Sequence, residues 1–155
     1  MMKLFLCLVF NLLVLSLVAE AQKIPKDADA IELTTSLADS ALFESVQSYL
    51  EEAGFDIEIA NQEDGTIVTE YRLIAEFKTI KEPIEIRITA TLSGEVVLFK
   101  AQATSHRAGN SYENEPIVNK ESADGVSNGE FLLFNEVITK YAKTLDQVTV
   151  DYNVP

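Results

Sequence analysis

The chain has 155 residues, with 25 acidic side chains against 12 basic ones and a net charge of −13. That field repels phosphate backbones and anionic lipid headgroups, so nucleic-acid and membrane-surface partners are disfavoured. One histidine and one cysteine supply neither a zinc ligand set nor a disulfide framework.

The first 21 residues read as a secretory signal peptide. Lys3 provides a basic start, and Leu4 to Val18 is apolar apart from Asn11 and Ser16. Ala19 and Ala21 then place small residues before a cut ahead of Gln22. The apolar run is about 15 residues, short of the roughly 18–20 that span a bilayer. The sequence therefore predicts export to the periplasm or the exterior, with no stable membrane span after cleavage near Ala21. Cys7 would leave with the signal, so the mature chain has no cysteine and no site for N-terminal lipidation. About 134 residues remain, enough for one ordinary core.

Residues 22–29 are polar, contain Pro25 and read as a flexible lead-in to a single domain over 30–155. Ile31 and Leu33 share one face of a short strand over 30–35. Residues 36–53 form a helix, with Leu42, Phe43, Val46, Tyr49, Leu50 and Ala53 on one stripe. Ser36 is its expected N-cap, Asp39 sits three residues on, and Gly54 marks its stop. Phe55, Ile57 and Ile59 alternate with Asp56 and Glu58 as a strand, and residues 61–65 form a turn ending in Asp64-Gly65. A strand follows over 66–75. It either continues through Phe77 or gives way to a bend over 76–83.

Residues 84–104 carry the strongest pattern. Ile84, Ile86, Ile88, Ala90 and Leu92 point one way, and Ser93-Gly94 turns the chain. Val97, Phe99, Ala101 and Ala103 then share a face. Val96 and Leu98 lie on the other side, where they would be covered twice or left for a partner. Residues 105–128 read as a long polar loop, with Ile117-Val118 as a brief strand or an anchor. A second helix opens at Ser127 or Asn128, with Ser127 and Glu130 as a capping box. It buries Phe131, Phe134, Ile138, Tyr141, Ala142 and Leu145. The tail alternates Val148, Val150, Tyr152 and Val154, as a last edge strand or a frayed end.

The sequence carries no recognisable catalytic constellation. His106 lies in the polar stretch, and no G-x-S-x-G elbow places a serine nucleophile near it. Glu113, Glu115, Glu121 and Asp124 follow no calcium-loop spacing. Asp56 and Glu58 share a strand face toward water rather than opposing each other across a cleft. There is no N-x-[ST] sequon, in keeping with a bacterial envelope setting. No cofactor is implied.

One order of elements is distinctive: Leu42 to Leu50 on a helix, then Gly54-Phe55-Asp56-Ile57, then Asp64-Gly65-Thr66-Ile67-Val68. Over roughly residues 30–104 it resembles secreted bacterial domains of TBP-like or helix-grip α+β fold. These are the BamC-like envelope lipoprotein domains and the uncharacterised proteins of the DUF4468 kind. The cysteine that anchors BamC-type lipoproteins has no counterpart here, and the resemblance carries over no catalytic residues.

Together these readings predict an α+β domain: one antiparallel sheet of about five strands with two helices on one face. The expected order is β-α-β-β-β-β-α, with the tail as a candidate last strand. The expected function is a non-enzymatic binding module of the cell envelope with a protein partner, which would dock on an exposed sheet edge, on the 105–128 loop or on the face marked by Val96 and Leu98. The alternative is a carrier holding a small apolar ligand among Phe99, Phe131, Phe134 and Ile138. A carboxylate-dependent hydrolase ranks last.

Overall fold

A computed structural model describes residues 24–74, 84–107, 110–120 and 126–155. The expected signal peptide lies outside these residues, as do the first two residues of the lead-in and the 76–83 stretch. The elements run β1 (Ala30–Thr34), α1 (Asp39–Glu52), β2 (Ile57–Asn61), β3 (Thr66–Thr69), β4 (Arg72–Ile74), β5 (Ile84–Ser93), β6 (Val96–Arg107), β7 (Asn110–Pro116), α2 (Val126–Ala142) and β8 (Thr149–Asn153).

The predicted hairpin is the centre of the sheet. β5 and β6 pair from Ile84↔Ser105 to Ser93↔Val96. On the far side of β5, β3 and β4 lie end to end, β3 on Thr89–Thr91 and β4 on Ile84–Ile86. On the far side of β6, β1 pairs with one half and β7 with the other. β2 lies outside β3 and β8 outside β1, and every pairing is antiparallel.

The sheet therefore has eight strands, not about five. Three local causes account for the difference. First, the expected 66–75 strand breaks at Glu70-Tyr71. At the break the Ile88 N–H donates to Thr69 Oγ1 at 3.0 Å, and Arg87 Nε donates to Thr69 O at 3.1 Å. Side chains thus satisfy backbone groups that a continuous ladder would have paired. Second, the expected loop 105–128 begins as strand. β6 runs to Arg107 and β7 returns along it, a polar edge whose carboxylates Glu113 and Glu115 discourage further pairing. Third, the tail pairs with β1 as β8. Ile117, beyond β7, is a buried anchor; its N–H donates to Ala101 O at 2.9 Å.

Both helices pack on the face formed by Ile31, Leu33, Ile67, Ile86, Ile88, Val97 and Phe99, all buried. α1 presents Leu42, Phe43, Val46 and Leu50 to it, and α2 presents Phe131, Phe134, Ile138, Tyr141 and Ala142. α1 ends as expected. The Phe55 N–H reaches Leu50 O and the Gly54 N–H reaches Glu51 O, both at 2.9 Å, with Phe55 and Leu50 buried together. Arg72 on β4 lies over the Phe55 ring at 5.1 Å and donates to Ala53 O, closing that corner.

The N-cap expectation fails. α1 starts after Ala38, which makes no side-chain cap, and the Ser36 hydroxyl donates instead to Asp146 O at 3.3 Å. Residues 35–38 are spent crossing from β1 to the hairpin turn, where the Asp39 N–H meets Gly94 O at 3.2 Å. α2 already runs at Val126, so Ser127 and Asn128 lie inside its first turn. It also ends at Ala142, three residues before Leu145.

Three tyrosines lock the helices to each other and to the edge. Tyr49 OH donates to Val137 O at 2.7 Å, Tyr141 OH to Ser45 Oγ at 2.9 Å, and Tyr152 OH to Asn135 Oδ1 at 2.9 Å. Burial pushes all three phenols up. The nearby Glu136 carboxylate adds to this at Tyr49, while the Ser45 and Asn135 bonds oppose it at Tyr141 and Tyr152. A phenol raised only in the folded state keeps its proton while the unfolded chain has begun to lose it. Stability is then full below the ordinary phenol value of about 10 and falls as pH rises through it toward the raised values. Urea midpoints should drop as pH rises through about 10, and Tyr141→Phe should make the drop shallower. An unchanged slope in that variant would remove Tyr141 from the effect.

Candidate functional site: the helix-free face of the sheet

The alternation that buries one face of β5 and β6 turns the other away from the helices. Cross-strand register fixes what lies there. One row reads Asp151, Glu32, Leu98, Thr91, Thr66, Asn61 from β8 to β2. The next reads Asn153, Ala30, Lys100, Thr89, Val68, Ile59. Val96 lies one step further along β6, opposite Thr34 and Ser93.

Val96 and Leu98 are half-buried, as the alternation leaves them on the uncovered face. Two further apolar residues join them. Val68 is half-buried, and Ile59 is 45% exposed. With Thr89 and Thr91 between them, they form a diagonal apolar band across β2, β3, β5 and β6. Ile59 reaches this face because the β2–β3 register shifts between Ile57 and Ile59. Simple alternation places Phe55, Ile57 and Ile59 together. The bulge keeps Ile57 toward the core and sends Ile59 out.

Around the band the cations are already engaged. Arg87 pairs with Glu58 beside the bulge and lies 5.8 Å from the Tyr71 ring centroid. Lys100 Nζ is 3.0 Å from Asp29 Oδ2. Tyr71 OH donates to Asn114 Oδ1, and Gln102 Nε2 donates to Asn114 O at 3.4 Å. These bonds tie the β3–β4 break to β7 across two strands. Beside them, Asp29, Lys100, Gln102 and Pro116 line a shallow cleft of about 320 Å³, where β1 ends and β7 begins on β6.

The expected apolar-ligand residues sit elsewhere. Phe99, Phe131, Phe134 and Ile138 are at most 1% exposed, between sheet and α2. Phe131 meets Phe134 edge-on at 5.8 Å, and Phe99 meets Tyr141 edge-on at 6.2 Å. None of the four lines the Lys100–Gln102 cleft or either of two further clefts. One of these lies between β4 and α2, under Leu73, Leu133 and Val137, and the other at the Asp39–Gly65–Gly94 corner.

The acidic pairs are dispersed. Glu58 is held by Arg87. Glu63 and Asp64 sit in a turn whose N–H groups donate to Asn61 Oδ1 at 3.0 and 3.2 Å. Glu113 and Glu115 are on β7, while Glu121 and Asp124 lie outside the described residues. Among the described residues no group of three or more His, Cys, Asp or Glu could hold a metal ion. His106 pairs through its backbone with Ser111. Among the described residues no helix is long and apolar enough to cross a membrane.

No family model matches the chain, and no curated protein does. Among solved structures the chain is similar to a DUF4468 family protein from Bacteroides ovatus ATCC 8483. The identity is 10%, over 80% of this chain and 87% of that one, with a TM-score of 0.47. This is one of the two groups that the order of elements from Leu42 to Val68 resembles.

Proposed function

We propose that this protein is a non-enzymatic binding module, exported to the periplasm or the cell exterior, that holds a protein partner on the helix-free face of its sheet. One observation carries the reading. Ile59, Val68, Leu98 and Val96 form an apolar band on the face that neither helix covers. Burying what remains exposed of these side chains would contribute about 1 kcal/mol each. Association costs at least several kcal/mol, so the polar groups bordering the band must contribute as well.

The test is site-specific photocrosslinking in the source cells. A photoreactive side chain at position 98 should give one discrete adduct. The same group at Leu132, exposed on α2, should give none. Adding Val96→Lys to the position-98 probe should lower the adduct yield about tenfold while shifting folding stability by at most about 1 kcal/mol, because position 96 is only half-buried. Equal labelling from both positions, or none from 98, would count against the face. The mature N-terminus should be Gln22, and an intact Met1 on exported protein would contradict cleavage.

A further inference from the structure

We infer that the partner of this face is cationic: a protein segment that sets apolar side chains on Leu98 and Val96 and a neighbouring lysine or arginine against Glu32 and Asp151. This rests on the reading of the face as a partner surface and adds the partner's chemistry.

The charges on this face are unevenly satisfied. Arg87 and Lys100, cations of the face among the described residues, each have a carboxylate, Arg87 with Glu58 and Lys100 with Asp29. Glu32 and Asp151 have no cation among the described residues. Among the described residues Glu32 accepts only a neutral hydrogen bond, from Asn153 Nδ2 at 3.3 Å. Both carboxylates stand in the same cross-strand row as Leu98, on the next two strands. Neighbouring strands are about 5 Å apart, so Glu32 borders the apolar band directly and Asp151 stands one strand further out, beside Glu32.

A partner covering Leu98 would also cover Glu32. Removing that carboxylate from water without a compensating charge is unfavourable, and a like charge opposite it is worse. A basic group there turns the penalty into an attraction. A second copy of this chain would bring further uncompensated carboxylates, on a molecule of net charge −13. An anionic lipid surface would do the same. A basic protein segment is the occupant whose charge complements the row.

The experiment uses three short peptides that alternate valine with lysine, with serine or with glutamate. Each is titrated into the isotope-labelled protein while the methyl signals of Val96 and Leu98 are followed. The lysine peptide should move both signals. Glu32→Lys with Asp151→Lys should weaken it about tenfold, as expected for losing two exposed charge pairs. Glu44→Lys with Glu52→Lys makes the same charge change at exposed positions of α1 and should weaken it less than about twofold if the effect is local.

Equal binding of the serine peptide at the same methyls would overturn the cationic partner and leave the face intact. Equal weakening by the two double variants would reduce the effect to bulk charge and overturn the inference. If none of the peptides moves the methyls while position 98 still crosslinks in cells, the inference falls and the reading beneath it stands. If position 98 also fails to crosslink, both fall.

Discussion

Gly65→Ala is expected to cost about 3 kcal/mol of folding stability, against about 1 kcal/mol for Gly94→Ala. Both glycines close turns at the same end of the sheet, with φ of +61° and +60°. A side chain in that left-handed region costs roughly 1–2 kcal/mol, and this part is common to the two variants. Their surroundings differ. A Cβ on Gly65 would lie 2.3 Å from Leu92 O and 3.2 Å from Leu92 C, whereas one on Gly94 would meet nothing within 4 Å. The neighbour is backbone, so no rotamer change relieves it. Nor can the turn swing away freely, because the Leu92 N–H donates to Gly65 O at 2.7 Å. Overlap and hydrogen bond join the same two residues, and giving way at one breaks the other. Urea unfolding of both variants, compared at equal m-value, measures the difference. Equal losses would mean that the β2–β3 turn is not clamped on β5.

That contact also marks where sequence reasoning stops. Asp64-Gly65 is legible as a turn, because the residue types match the torsions it needs. Its docking against Leu92 is not, since the two lie 27 positions apart and no local pattern encodes their approach. The same division runs through the fold. Ile84, Ile86, Ile88, Val97 and Phe99 are legible as core because alternation is a property of the strand itself. So is the opposite placement of Val96 and Leu98, and with it half of the candidate site. Val68 follows the same alternation, turned away from buried Ile67 and Thr69, but Ile59 depends on a bulge that reverses the facing of β2 partway along. Nothing in IEIAN announces that bulge. β7 is hidden for another reason: SYENEP has no apolar face, because a strand beyond the helices, held by backbone pairing at an edge, buries little. Capping failed at Ser36 because residues 35–38 cross to the hairpin turn and the helix begins only at Asp39, beyond reach of that hydroxyl, which donates to the Asp146 carbonyl instead.

Phe134→Ala should be the most damaging single truncation on α2, costing about 3–5 kcal/mol, with Leu132→Ala on the same helix within about 0.5 kcal/mol of the parent. The two positions are two residues apart on a 3.6-residue period, which turns them to different sides. Phe134 is 0% exposed and Leu132 is 41% exposed. Phe134 also does more than fill space. It meets Phe131 edge-on, Phe131 lies 6.4 Å from the Tyr152 ring, and Tyr152 OH is bonded to Asn135, next to Phe134. Removing the Phe134 ring therefore loosens the contact by which α2 holds β8, the outer strand beside β1. The loss should have a direction. Amide hydrogen exchange should rise first in Thr149–Asn153, where β1 is the only neighbouring strand among the described residues, and later in β5, which is paired along both edges. Asp151 stands on β8, so a loosened β8 should also weaken capture of a basic partner at Glu32 and Asp151. If Phe134→Ala instead raises exchange evenly across the sheet, α2 supports the core as a whole and the β8 link is incidental.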